Sequence, residues 1–225
     1  NHEGEVYLAH TLEETARMAV DLANGDPIKD NYCDPIDYEV SRPLAADKTV
    51  KGLYSGGSLA AEAGMLIAEA LNLGGLIKEE GYILKTGGYE VVDLGDDVYT
   101  QGKPHPMIDP EVRIKKILEC AKDPQTGVIL LDCMLGYGCH PDMAGALAPA
   151  IREAQEIAKA DGRELYFVAS VCGTRQDPQD YDRAVAELKE CGVLVEESNA
   201  RAIRLALKLK GIDYKENTRG HVEAA

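Results

Sequence analysis

The 225-residue sequence contains no tryptophan, one phenylalanine and comparatively few basic residues. Its 24 Lys and Arg residues are outnumbered by 39 Asp and Glu, and the net charge of −15 argues against nucleic acids and anionic membranes as partners. No apolar run is long enough for a membrane-spanning helix. Because hydrophobic residues still make up 45% of the chain, we expect one folded domain, alone or with an appendage, and an aliphatic core.

The cysteines form no CxxC pair and follow no regular spacing. This pattern favours reduced thiols in a cytoplasmic protein over a disulfide framework. The six cysteines are Cys33, Cys120, Cys133, Cys139, Cys172 and Cys191. The chain begins with Asn1 rather than methionine, so the sequence also leads us to expect a segment of a longer protein.

Residues 1–48 are predicted to form a helix followed by an irregular linker. Thr11 and Glu14 have the spacing of a capping box, which favours a helix that begins there and continues to about Leu22. Its apolar residues share one face of the helix and are Leu12, Ala16, Ala19, Val20 and Ala23. Residues 26–48 carry three prolines and no hydrophobic period, which is typical of a linker.

From residue 49 onward, short apolar segments alternate with glycine turns and amphipathic segments. The predicted strands cover residues 49–54, 89–94, 128–133, 165–171 and 193–195. Strands that alternate with helices favour a parallel sheet with right-handed crossovers. We therefore predict an α/β domain over residues 49–210, with a flavodoxin-like, doubly wound sheet of five parallel strands in the order 2-1-3-4-5. Residues 74–88 are predicted to form an extra hairpin or surface loop, and residues 211–225 a polar tail.

Glycine-rich turns follow four of these strands, at residues 55–58, 95–109, 134–142 and 172–177. In a doubly wound sheet such turns meet at the carboxyl edge, where ligands bind. Backbone amides in the turns and the positive ends of helix dipoles favour a bound anion such as phosphate. The candidate anion-binding residues are Ser55, Gly56, Gly57, Ser58, Gly95, Lys103, Gly136, Tyr137, Gly138, Gly173, Thr174 and Arg175.

Two histidines in these turns are the candidate catalytic residues. His105 and His140 each precede a proline, and each could act as an acid–base group, as a phosphoryl acceptor, or equally as a structural loop histidine. Aspartates near them could cap helices or hold a divalent cation. No ligand-spaced motif such as HExxH occurs, so the sequence assigns no metal ligand.

Several of these motifs together resemble the FdrA family. They are residues 52–62, 93–97, 102–110, 131–141 and 173–179, and the resemblance extends from about residue 5 to residue 210. The family is acyl-CoA synthetase-like and related to succinyl-CoA synthetase, so the resemblance implies a flavodoxin-like ligase domain. It also implies an upstream CoA-binding domain, a homo- or hetero-oligomer, and use of CoA and a nucleotide such as ATP by the full-length enzyme. CoA would then bind outside this chain, and Mg²⁺ could accompany the nucleotide.

The sequence departs from the wider superfamily at one turn. Succinyl-CoA synthetase-type enzymes carry an active histidine in a Gly-His-Ala-Gly turn, which this sequence lacks; the turn after the first predicted strand is Ser-Gly-Gly-Ser instead. FdrA-type proteins are also linked to carbamoyl transfer in oxamate and allantoin breakdown. Three functions therefore stay open: the ligase domain of an acyl-CoA synthetase-like enzyme, inactive by itself; a carbamoyltransferase subunit acting on oxamate and carbamoyl phosphate; and a non-catalytic anion-sensing or subunit-contact domain.

Overall fold

A six-stranded sheet lies at the centre of the computed structural model, which describes residues 7–74, 76–77 and 79–214. Its strands are β1 (Thr49–Tyr54), β2 (Tyr82–Thr86), β3 (Tyr89–Asp93), β4 (Thr126–Met134), β5 (Tyr166–Cys172) and β6 (Leu194–Glu196). The helices are α1 (Leu12–Asn24), α2 (Gly57–Ala70), α3 (Asp97–Thr100), α4 (Glu111–Lys122), α5 (Met143–Ala160), α6 (Tyr181–Glu190) and α7 (Asn199–Leu209). The strand order is β2-β3-β1-β4-β5-β6, and helices cover both faces of the sheet.

The predicted order of the five parallel strands is confirmed, and one further strand extends the sheet. β3, β1, β4, β5 and β6 are parallel neighbours in the predicted order. β2 pairs antiparallel with β3 at the edge, so the sheet has six strands rather than five. Gly87 and Gly88 have φ angles of 56° and 84°, as a tight hairpin turn between these two strands requires. Of residues 74–88, predicted as an extra hairpin or a surface loop, the last part forms β2, which makes a hairpin with the following β3; residues 75 and 78 lie outside the described residues.

The buried strand β4 separates two layers of hydrophobic core. Ile129 and Leu131 pack towards α4, α5 and α6, whereas Val128 and Leu130 pack towards α2 and α7. All four residues are at most 2% exposed, which explains why the strand is a continuous apolar run rather than an alternating one. Because helices cover both faces, the loops at the carboxyl edge of the sheet are the part of the fold that can build a site.

The amphipathic helix α1 turns its apolar face outward. Leu12 and Val20 are 49% and 58% exposed, whereas Met18 and Asp21 are buried. A polar contact favours this orientation, because the hydroxyl of Tyr32 in the linker donates a hydrogen bond to Oδ2 of Asp21 (2.7 Å). The helix therefore packs on the domain through its more polar side.

Side-chain caps determine where several helices begin. The hydroxyl of Thr11 accepts a hydrogen bond from the amide of Glu14 (3.1 Å), which confirms the predicted start of α1. Asp180 caps α6, which begins at residue 181. Asp142 caps α5, which begins at residue 143.

The polar loop predicted at residues 95–109 contains the short helix α3, which the sequence pattern did not indicate. Residues 1–6 of the predicted arm and residues 215–225 of the predicted tail lie outside the described residues. Within the described part of the chain, no helix combines the length and the hydrophobicity needed to cross a bilayer.

Candidate functional site

The topological switch point of the sheet lies between β1 and β4. These adjacent parallel strands are followed by helices on opposite faces of the sheet, and doubly wound proteins bind ligands in the crevice at this position. The predicted turns are joined to one another here. The amide of His140 donates to the carbonyl oxygen of Met107 (2.7 Å), and the amide of Gly136 donates to Oε1 of Gln179 (2.9 Å).

The turn before α2 is closed around the buried carboxylate of Asp132. This carboxylate accepts hydrogen bonds from the amide of Ser55 (3.0 Å), the hydroxyl of Ser55 (3.0 Å) and the amide of Gly56 (2.8 Å). The anion at these predicted anion-binding residues is thus a side chain of the protein itself. A further anion would meet the amides of Gly57 and Ser58 in the first turn of α2, where backbone amides have no acceptor within the helix.

A buried arginine neutralises Asp132. The side chains of Arg113 and Asp132 are both 0% exposed, and Nη2 of Arg113 lies 2.9 Å from Oδ1 of Asp132. Nε and Nη1 of Arg113 are buried and have no hydrogen-bond partner among the described residues. Sequence reasoning missed both residues. One signal was present, since Arg113 has helical spacing with Ile117 and Ala121 on the buried face of α4.

Asp93 and His105 crowd around two glycines beside this turn. Oδ1 of Asp93 accepts a hydrogen bond from the amide of Gly95 (2.8 Å). A Cβ atom added to Gly95 would lie 2.6 Å from Nε2 of His105 and 3.0 Å from Oδ1 of Asp93. A Cβ atom added to Gly57 would lie 2.7 Å from Oδ2 of Asp93. A side chain at either position would displace Asp93 or His105, so glycine allows the carboxyl group and the imidazole to approach the backbone closely.

The local environment of Asp93 raises the pKa of its carboxyl group. Burial raises the pKa of the Asp93 carboxyl above its usual value, and the negative charges of Asp96 and Asp132 raise it further. The hydrogen bond from the amide of Gly95 and the nearby His105 oppose this shift. Asp93 therefore keeps its proton to a higher pH than an ordinary surface aspartate does.

The two candidate histidines are oriented by backbone hydrogen bonds. Nδ1 of His105 accepts from the amide of Met107 (3.2 Å), so Nε2 is the nitrogen that faces Gly95. Nδ1 of His140 accepts from the amide of Asp142 (3.0 Å). The structure brings His105 to the turn at Gly95, where an added Cβ would also lie 3.0 Å from the carbonyl oxygen of Ser55. His140 links the loop after β4 to the loop that contains Met107. The catalytic roles of both histidines stay predictions.

The loop after β4 has a conformation that depends on glycine. Gly136 and Gly138 have φ angles of 131° and 84°, which side chains disfavour. Tyr137 between them is 92% exposed. The amide of Gly136 already donates to Gln179. Tyr137 and Gly138 therefore remain the candidates for anion binding in this loop.

The loop after β5 lines a separate cavity of about 760 Å³. Gly173, Thr174 and Arg175 form part of its wall, together with residues of α6 and β6. The amide of Thr174 donates to Oδ2 of Asp177 (2.6 Å), and Arg175 forms a bidentate ion pair with Asp182 (2.8 and 2.9 Å). The protein's own carboxylates thus engage the amide and the cation that were predicted to bind an anion here.

The remaining candidate residue, Lys103, is exposed on the loop that contains α3. Within the described residues, no three His, Cys, Asp or Glu side chains are arranged to hold a metal ion. The candidate site therefore consists of the start of α2, the turn at Gly95, the side chains of Asp93 and His105, and the buried ion pair of Arg113 with Asp132.

Comparison with known proteins gives two matches. A family model described as CoA-ligase matches residues 53–209, which extend from β1 to α7. The chain is also 35% identical over 219 residues to the uncharacterized protein YahF of Escherichia coli (strain K12). That alignment covers 91% of this chain and 42% of YahF, so the chain spans less than half the length of this curated relative.

Proposed function

Because the chain belongs to the CoA-ligase family, we propose that it is an FdrA-type ligase domain that binds a phosphate group or a phosphorylated acyl intermediate. The proposed site comprises the amides of Gly57 and Ser58, the turn at Gly95 and the imidazole of His105. It would serve a longer acyl-CoA synthetase-like enzyme, and the domain alone would be inactive.

The crowding around Gly57 and Gly95 is the observation that supports this proposal. Two backbone segments without side chains approach each other there, at the positive end of the 14-residue helix α2. Arg113 cancels the charge of Asp132 directly below, so this carboxylate opposes an incoming anion only weakly. The exposed amides and the neutralised carboxylate of Asp132 together favour binding of a small oxyanion.

His105 is the proposed acid–base or phosphoryl-accepting residue, because its Nε2 faces Gly95, beside the turn that precedes α2. His140 holds the neighbouring loop in place and is the alternative. Lys103 could neutralise charge from the exposed side of the site. Arg175 would contribute only if its ion pair with Asp182 opened.

The cofactors and partners of the full-length enzyme are also proposals. Two amides, an imidazole and a carboxyl group are enough donors for one tetrahedral oxyanion. CoA would then bind to an upstream domain, a nucleotide such as ATP would supply the phosphoryl group, and the protein would act in the cytoplasm as a homo- or hetero-oligomer. Mg²⁺ would accompany the nucleotide.

A carbamoyltransferase subunit is the second candidate, and the turn at residues 55–58 favours it. That turn holds no histidine, and the buried Asp132 carboxylate fills it. A site of this kind can bind the phosphate of carbamoyl phosphate without forming a phosphohistidine. Turnover of carbamoyl phosphate with oxamate, in the presence of partner subunits, would favour this function over the acyl-CoA ligase.

Sulfate titration by calorimetry tests the anion site, with Gly95→Ala as the disrupting variant. Wild-type protein should bind sulfate, and Gly95→Ala should bind it about tenfold more weakly or not at all, because the added methyl group displaces His105 and Asp93. Gly74→Ala is the matched control, since an added Cβ there has no neighbour within 4 Å.

Circular dichroism would verify that both variants are folded. Absence of sulfate and phosphate binding by the folded wild-type protein would refute the anion site and favour a non-catalytic subunit-contact domain. Equal binding by wild-type protein and Gly95→Ala would place the anion elsewhere on the molecule.

A further inference from the structure

Asp93 has one carboxyl oxygen that the fold uses and one that it does not. Oδ1 accepts the hydrogen bond from Gly95. Oδ2 accepts no hydrogen bond from the described residues and lies against Gly57, the first residue of α2. The free oxygen is therefore next to the amides that the proposed function assigns to an oxyanion.

The place where Oδ2 lies is more than the end of a helix. Asp132 accepts a hydrogen bond from the amide of Gly56 just before α2 and contacts the fully buried Arg113, whose Nε and Nη1 have no partner among the described residues. Next to Gly95, His105 lies so close that a side chain at this position would displace it. A cluster of ionisable groups surrounds the helix start on two sides.

The charges that face Asp93 come from each element packed around it. β4 contributes Asp132 with its partner Arg113, the turn after β3 contributes Asp96, the following loop contributes His105, and α2 contributes the positive end of its dipole. Partial burial of the site and the negative charge of Asp96, with a smaller effect of the paired Asp132, disfavour ionisation of Asp93. An ionised Asp93 would also repel an oxyanion bound at Gly57.

We propose that Asp93 is a ligand-contacting residue of this site and meets the bound oxyanion as the neutral carboxylic acid, with Oδ2 donating a hydrogen bond. This inference rests on the anion site proposed above. When Asp93 is ionised in the free protein, binding takes up one proton from solvent; no covalent bond forms or breaks. A carboxylic acid that donates to a ligand oxygen stabilises the complex, whereas a carboxylate at the same position opposes it.

Binding and protonation must then be linked. An oxyanion that binds only the protonated form raises the pKa of Asp93 in the complex, and its affinity falls by about tenfold for each pH unit above the pKa of the free protein. Sulfate is the suitable probe, because its own charge is constant over this range. Calorimetry between about pH 5 and pH 8, in two buffers of different ionisation enthalpy, measures both the affinity and the proton uptake.

Three variants test whether the pH dependence of sulfate binding comes from Asp93 or from a neighbouring group. Asp93→Asn keeps a donor at the same place without a titrating group, so sulfate binding should persist and the proton uptake should disappear. Asp93→Ala removes the donor and should weaken binding at every pH. Asp96→Asn is the matched control, because Asp96 lies on the same turn and faces Asp93, and asparagine can still cap α3. It should keep the proton uptake and the loss of about tenfold in affinity per pH unit, with the pH dependence moved modestly to lower pH, because the negative charge of Asp96 raises the pKa of Asp93.

The outcomes distinguish failure of the proposed anion site from failure of the proposed role of Asp93. If wild-type protein binds no sulfate at any pH, the proposed anion site is wrong and the role of Asp93 falls with it. If wild-type protein binds sulfate and Asp93→Asn keeps the pH dependence, the site stands and the role of Asp93 is refuted. If His105→Gln alone removes the pH dependence, the proton is carried by the imidazole, which also refutes the proposal.

Discussion

Replacing Asp132 with asparagine removes the negative charge of the buried pair while keeping the size of the side chain. The carboxylate accepts from the amide and hydroxyl of Ser55, the amide of Gly56 and Nη2 of Arg113. An asparagine offers a single acceptor oxygen, and its NH₂ group would face these donors. The guanidinium would also stay buried without its counter-charge.

We expect Asp132→Asn to lower the free energy of unfolding by about 3–5 kcal/mol, the cost of breaking a buried ion pair on one side. For a domain of this size, the melting temperature should fall by roughly 6–20 °C. Urea and thermal unfolding followed by circular dichroism measure both quantities. Glu156→Gln is the matched control, because its ion pair with Lys159 is exposed and should contribute little.

A double-mutant cycle with Arg113→Met tests the cause of the loss. Once the charge of Asp132 is gone, removing the guanidinium should cost less than it does in the wild-type protein, with a coupling energy of about 1–3 kcal/mol. A loss below about 1 kcal/mol for Asp132→Asn, or additive effects of the two substitutions, would refute the reasoning from charge neutralisation.

Two further predictions concern α1 and the thiols. Val20→Asp should change the unfolding free energy by less than about 0.5 kcal/mol because Val20 is exposed, whereas Met18→Ala should cost about 2–3 kcal/mol because Met18 is buried. The opposite ranking in urea unfolding would contradict the orientation of α1. Burial raises the pKa of the Cys133 thiol to about 12 and that of Cys120 to about 11, so an alkylating reagent at neutral pH should label the exposed Cys172 before either of them. Peptide mass spectrometry would detect the labelled residue, and preferential labelling of Cys133 would contradict this.

The strands and their order could be predicted because local chemistry determines them. β1 has the predicted bounds, since an apolar segment there ends at a glycine turn. β4 extends only two residues before and one after its prediction, because its run of buried aliphatic residues is unbroken. Alternation of strands with helices then leaves few possible topologies. The edge strand β2 could be predicted only as an optional hairpin, because the glycine pair that closes it is also compatible with an open loop.

The interior of the site could not be predicted, because it depends on contacts between distant segments. Asp132 fills a turn that lies 77 residues earlier in the sequence at Ser55. A glycine turn at a helix start indicates that amides are available, but it does not reveal which acceptor they find. The orientation of α1 could not be predicted for a similar reason. Helical spacing shows that Leu12 and Val20 share a face, but it does not show which face packs on the domain.

The carboxylate of Asp132 holds the turn before α2 in place without help from a ligand. An anion at the proposed site would therefore not have to order that turn, and little of its affinity would be lost to loop entropy. Backbone shifts between the free and the occupied protein should therefore be small at residues 55–58. Selectivity at this position would arise from complementarity of shape and protonation rather than from closure of a mobile lid.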